Sequence, residues 1–188
     1  NQNLSIQQRA GSFIINNIIG YPLIPIVTNL NEDNPMTKGL DHLAVPFASP
    51  LATSTVQGLE LTVLAASTRL SWSKSELATL SPMAQFTAED KDPKGPFALI
   101  ASVTGKFKAL FPNPPAAVAK ERENRAVQSS WLKESAGTSR VLICGSSKIF
   151  DPNAGNAPVN QIFFLNAVDW LSQDVDLIAI RSKGIKIR

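Results

Sequence analysis

Apolar positions fall in short runs along this chain, and breaks rich in proline or small polar residues separate them. Phe13-Ile-Ile-Asn-Asn-Ile-Ile19 is the first such run. Tyr21-Pro-Leu-Ile-Pro25 stops any helix begun there, because proline lacks the N–H donor and its ring collides with the preceding turn. Ile26 to Leu30 then reads as a short strand. Asn31-Glu-Asp-Asn-Pro35 is a turn cluster whose polar side chains bond their own backbone. Asn34 to Leu40 has the form of one helical turn closed by Gly39, and His42 to Phe47 that of a strand. Leu59 to Ala66 alternates β-branched and small apolar residues, which predicts a strand. Ser73-Lys-Ser-Glu76 carries a capping-box pattern with few residues behind it, so any helix there is short.

The second half is more regular. Pro93 to Pro96 forms a turn, and Phe97 to Thr104 is a nearly continuous apolar strand. Phe111-Pro-Asn-Pro-Pro115 ends that unit. From Ala116 to Gly137 the chain is polar, with a weak stripe of Val118, Val127, Trp131 and Leu132, the pattern of a solvated helix or long loop. Ser139 to Cys144 reads as a buried strand and Gly145 to Pro158 as a loop. Asn160 is placed to cap a helix to about Ser172, with Ile162, Leu165, Val168 and either Trp170 or Leu171 on its buried side. Val175 to Ile180 is the next strand. Strand, helix and strand in that order form a βαβ unit, which predicts the α/β class and parallel pairing.

Composition narrows the function more than the fold. The 188 residues suffice for a single domain, with 44% hydrophobic residues and 18% charged. Eighteen basic against fifteen acidic residues give a net charge of only +3. Without Lys/Arg runs interleaved with aromatics, this argues against a nucleic-acid partner. Cys144 is the one cysteine, so no intramolecular disulfide forms. No stretch reaches the ~18–20 apolar residues of a membrane helix.

The strand end at Cys144-Gly-Ser-Ser-Lys148 is where an open α/β sheet would place a ligand, since strand ends and helix N-termini leave N–H groups unpaired. Gly145, Ser146, Ser147 and Asn160 are therefore the candidate ligand-binding residues. A catalytic use is disfavoured. A nucleophile elbow wants glycine two residues before and after the reactive residue, and around Cys144 those positions are Leu142 and Ser146. His42, the only histidine, is about a hundred positions away, so a hydrolase using Cys144 or Ser147 requires the fold to bring His42 within hydrogen-bond reach. One histidine and one cysteine offer no zinc spacing, and no calcium loop is present. Glu32, Asp33, Glu89, Asp90 and Asp92 read as solvated turn residues. Trp72, Trp131 and Tyr21 are the stacking platforms a carbohydrate-binding module would need. The tail, Arg181-Ser-Lys-Gly-Ile-Lys-Ile-Arg188, reads as an exposed strand kept soluble by its cations.

Taken in order, Asn34-Pro-Met-Thr-Lys-Gly-Leu40, Val45-Pro-Phe-Ala-Ser49, Gly105-Lys-Phe-Lys108, Val141-Leu-Ile-Cys-Gly-Ser-Ser147, Asn160 through Asp169-Trp-Leu171, and Leu177-Ile-Ala-Ile-Arg181 resemble a known family. It is the gliding-motility-type auxiliary component of ABC transporters, an uncharacterised transport-system family. The resemblance spans most of the chain. It implies a three-layer fold with a mixed sheet and helices on both faces, of the glutamine-amidotransferase-like or flavodoxin-like kind. It also implies a periplasmic or extracytoplasmic position, membrane anchoring by helices elsewhere, and permease and ATPase subunits as partners. The chain would then be the carboxyl-terminal part of that domain, with a membrane helix soon after Arg188. No enzymatic activity and no cofactor come with the family. Its members often carry Gly-Asp-Ser-Asp at the strand end, where this chain has Ser146 and Lys148 in place of the acids. If an amino-terminal half of that domain completes the sheet, the strand edge exposed without it would favour a homo-dimer.

Overall fold

The computed structural model describes residues 2–10, 13–77, 79–111, 113, 132–151 and 158–173. Strands β1 (Gln2–Ala10) and β2 (Phe13–Tyr21) form an antiparallel hairpin. Pro22 and Pro25 follow, and the chain then divides the run at 26–30 between two sheets. β3 (Ile26–Val27) pairs with β5 (Leu43–Ala44), whereas β4 (Asn29–Leu30) pairs with β6 (Leu59–Ala66). Thr28 is the crossing point. The expected single strand is thus two, and the expected strand at 42–47 keeps only its first apolar pair: Val45 and Phe47 still donate to Pro25 O and Leu23 O at 3.0 and 2.6 Å, but Pro25 has no N–H to return a bond and Phe47 leaves the extended conformation at φ +53°.

The main sheet has the order β4-β6-β7-β8, with β7 at Ala98–Gly105 and β8 at Ser139–Cys144. A bulge at Leu64 interrupts the β6–β7 register and turns that side chain fully into the core. Asn31 behaves as its sequence suggests: its Oδ1 accepts the N–H groups of Asp33 and Asn34 at 3.0 and 3.2 Å. Asn34 starts the next turn, accepting from Met36 N at 3.0 Å, and Gly39 closes it with φ +76°, a conformation only glycine adopts without penalty. Ser73–Glu76 opens no helix.

Helix α1 spans Pro158–Leu171, with proline at its first position, where no N–H is needed. It packs on β8 and β5. Met36, Leu43, Val45, Leu64, Ile100 and Phe163 form the fully buried centre of the core.

Three expectations change. β8 is half-exposed rather than buried, because it is the last strand of its sheet among the described residues and α1 covers only one of its faces. The buried stripe of α1 is Asn160, Phe163, Asn166, Ala167 and Trp170, while Leu165, Val168 and Leu171 are exposed. Asn160 lies inside the first turn of α1 and bonds across to β5 instead of capping its own helix. Every described strand pair is antiparallel. The strand expected to complete a parallel βαβ unit, Val175–Ile180, lies outside the described residues, as do Ala116–Trp131 and the basic tail.

Candidate functional site

The turn after β8 is stitched into the body of the protein. Gly145 N–H donates to Leu99 O at 2.8 Å, and Gly145 O accepts from Ser49 N–H at 2.6 Å. A Cβ here would run into Ser49 O and lie 3.1 Å from Leu99 O, so the close approach of the two backbones requires glycine. Ser146 is buried; its hydroxyl donates to Pro46 O and accepts from Lys148 N–H at 3.1 Å. Asn160, also buried, accepts from Ala44 N–H at 3.1 Å and donates to Ala44 O at 2.7 Å and Ile149 O at 2.8 Å. Its amide thus satisfies both polar groups of one strand residue, as a neighbouring strand would. Ser147 is exposed. Of the four candidates, two aim their polar atoms inward at backbone, and Gly145 acts through its main chain.

Cys144 packs against the main core, and burial alone pushes its thiol up to about 11. At neutral pH only roughly one molecule in ten thousand would carry the thiolate that nucleophilic chemistry needs. His42 sits just before β5, half-buried. Among the described residues no three His, Cys, Asp or Glu side chains converge as a metal set would. Asp92 corrects the reading of the acidic turn as solvated: it is 7% exposed, accepts from Glu89 N–H at 2.8 Å, and lies 3.7 Å from Lys74 Nζ. Lys74 also bonds Glu89 at 2.7 Å; that contact raises the lysine pKa and lowers that of the glutamate.

The open space lies beside this turn. A groove of about 720 Å³ is bounded by Pro22 to Thr28, Phe47 to Pro50, the end of β6, and the long connection from β6 to β7 at residues 67–97. Its walls are Pro22, Pro25, Pro50, Phe47, Trp72 and the leucines at 70, 77 and 80. Leu70 is 92% exposed, and Leu80, Phe47 and Leu77 are each at least 40% exposed. Phe47 is a non-glycine residue at φ +53°, a strained conformation that persists only where surroundings enforce it. Its N–H donates to Leu23 O at 2.6 Å, and the bend is pinned on either side by Ser146 at Pro46 and Gly145 at Ser49. Two of the four residues expected to bind a ligand, Gly145 and Ser146, therefore set the posture of a groove wall.

Three of the polar side chains around the groove, those of Ser67, Ser71 and Lys74, are engaged within the protein. Ser67 and Ser71 hydroxyls are 2.6 Å apart, Ser67 Oγ accepts from Phe97 N–H, and Ser71 Oγ donates to Thr68 O. Lys74, at the rim, is held by two carboxylates and lies 6.0 Å from the Trp72 ring centre. Tyr21 is buried behind Phe47 in an edge-to-face contact, with its hydroxyl on Leu80 O at 2.6 Å. Burial raises its pKa. Tyr21 is therefore no sugar platform, and Trp131 lies outside the described residues. Such a lining offers apolar contact and little to orient a polar solute. One sequence signal did point here: residues 67–97 form a connection far longer than a compact domain needs, and such loops tend to be functional.

A family model described as "ABC-type uncharacterized transport system" matches residues 2–178, nearly the whole chain. Neither the curated proteins nor the solved structures yield a significant match.

Proposed function

The chain belongs to this family of auxiliary ABC-type transport-system proteins, and from that membership we propose that it works by contact, receiving an apolar segment of a transporter partner in the groove beneath Leu70. In this reading it is a non-enzymatic, extracytoplasmic domain of the gliding-motility type. It is single, anchored by membrane helices elsewhere in its protein, and associated with permease and ATPase subunits. Its described sheet and helix form part of a three-layer α/β fold of the amidotransferase-like kind.

The observation that carries the proposal is the groove itself. Exposed leucines and an aromatic held in a strained posture surround a space in which the Ser67 and Ser71 hydroxyls already have partners. A solvent-exposed apolar surface of this kind marks a contact site. A charged solute would give up water at walls made mainly of proline, leucine and aromatic side chains, with Lys74 already held by Glu89 and Asp92. An apolar peptide side chain suffers no such loss, and a transport system supplies protein partners.

The test is co-purification of the ATPase and permease from membranes carrying this chain. Leu70→Glu with Leu77→Glu should reduce recovery at least tenfold, whereas Leu132→Glu, exposed and outside the groove, should leave it unchanged. Equal recovery with the groove variants would remove the basis of the proposal. So would hydrolysis of an amide or ester by the purified chain that disappears in Cys144→Ala or Ser147→Ala.

A further inference from the structure

We propose that residues 75–88, the middle of the long connection from β6 to β7, are a movable wall of the groove, hinged at a paired neck and held shut by Tyr21. The inference concerns how the groove opens, and it rests on the contact reading above for what enters. The two ends of the segment are fixed to each other. Ser73 N–H donates to Pro93 O at 3.0 Å and Gly95 N–H to Ser71 O at 2.8 Å, on either side of an antiparallel bridge between Trp72 and Lys94. Lys74 Nζ closes the neck on Glu89 at 2.7 Å, with Asp92 at 3.7 Å and Thr87 O at 3.4 Å. Gly95 allows this close approach, because a Cβ there would run into Ser71 Oγ and Thr68 O. A surface loop whose ends meet can turn about its neck and leave the strands behind it in place.

Beyond the neck, little holds the segment. No described residue from 75 to 88 is buried. The bonds from Ala84 N–H to Ser81 O, Ser81 N–H to Thr79 Oγ1 and Met83 N–H to Ser81 Oγ all stay within it. Among the described residues, its one hydrogen bond to the rest of the fold comes from Tyr21, whose hydroxyl donates to Leu80 O at 2.6 Å. The same ring meets Phe86 edge-on, with centres 5.9 Å apart. Tyr21 is buried at the end of β2, so the holding side is anchored and the held side lies at the surface. A segment with so few buried contacts opens at a small part of the global stability. Leu77 and Leu80 line the groove, so its movement takes two apolar side chains out of the wall. Tyr21 also touches Phe47, the strained residue of that lining, at 6.4 Å between ring centres. One side chain therefore braces both Phe47 and the movable segment.

The test is hydrogen exchange on Tyr21→Phe, which keeps the ring and removes only the hydroxyl. Amides at 79–86 should exchange about fivefold faster, the effect of one lost hydrogen bond, while those of β6 and β7 keep the wild-type rate. N-phenyl-1-naphthylamine, an uncharged apolar dye, should brighten on binding the wild-type chain and associate about fivefold faster with Tyr21→Phe. Leu70→Glu with Leu77→Glu should abolish that binding. Unchanged exchange at 79–86 would overturn the inference, as would equal acceleration in β6 and β7, which would make Tyr21 a support of the whole fold. A dye that fails to bind the wild type, binds the glutamate pair equally well, or enters Tyr21→Phe at the wild-type rate would overturn it too. These readouts use the purified chain alone, so they hold or fail independently of the recovery of transporter subunits from membranes.

Discussion

Cys144 and Gly145 are neighbours with opposite requirements. The cysteine side chain is pressed into the core, while the glycine has none because Ser49 O and Leu99 O occupy that space. The sequence alone made this pair a candidate elbow, and its missing flanking glycines spoke against a nucleophile. Burial adds a second reason, since desolvation raises the thiol from 9.0 to about 11. The folded state then keeps a proton that the unfolded chain releases. The associated stability is complete below about pH 9 and is lost as pH rises through about 11. Iodoacetamide should therefore modify native Cys144 at pH 8 far more slowly than it modifies the urea-unfolded chain. The urea midpoint of the wild type should also fall more between pH 9 and 11 than that of Cys144→Ala. Alkylation of the native protein at the unfolded rate at pH 8 would contradict this account.

At the scale of elements, β6 and β8 fall where the sequence places them, and β7 is displaced by a single residue. Alternation of β-branched and small apolar residues marks β6, and a nearly continuous apolar run bounded by turn residues marks β7. The face of α1 was not legible, because the helix carries two apolar stripes of similar width and periodicity cannot choose between them. The deciding residues are Asn160 and Asn166, which look like surface positions in sequence. They are buried because their amides find backbone carbonyls at Ala44, Ile149 and Met36. Phe163→Ala should thus cost about 3–5 kcal/mol in chemical denaturation. Leu165→Ala, on the stripe expected to be buried but exposed in the fold, should cost roughly 0.5 kcal/mol or less. Similar losses at both sites would mean that the outer stripe also contributes to folding.

Across the whole molecule, Asn160 ties three distant parts together: α1, β5 and the turn leading from β8. These contacts cross 116 residues of chain to Ala44 and 11 to Ile149. Asn160→Ala leaves a buried donor and two buried acceptors with this partner removed, a loss on the order of 3 kcal/mol. Hydrogen exchange should show the amide of Ala44 losing protection by at least tenfold, with the β6–β7 amides slowed only by the remaining global stability. Unchanged protection at Ala44 would show that this tie is dispensable.

The sequence by itself determined where the chain must break, the strands of the main sheet at β6, β7 and β8, the absence of a nucleophile elbow around Cys144, and the family to which the chain belongs; it did not show the β1–β2 hairpin. Each follows from information local in the chain: proline positions, period-two alternation, short-range spacing and motif order. The tertiary structure decided which stripe of α1 is buried, that β8 ends its sheet among the described residues, that Asp92 is shielded, and that Phe47 stands strained in a groove wall. All four depend on groups far apart in sequence coming within a few ångströms of one another. The strand-end turn at Gly145 was visible as a special place from its residues alone. That its backbone would brace the apolar groove beside it became apparent only with Ser49, Pro46 and Leu99 in position.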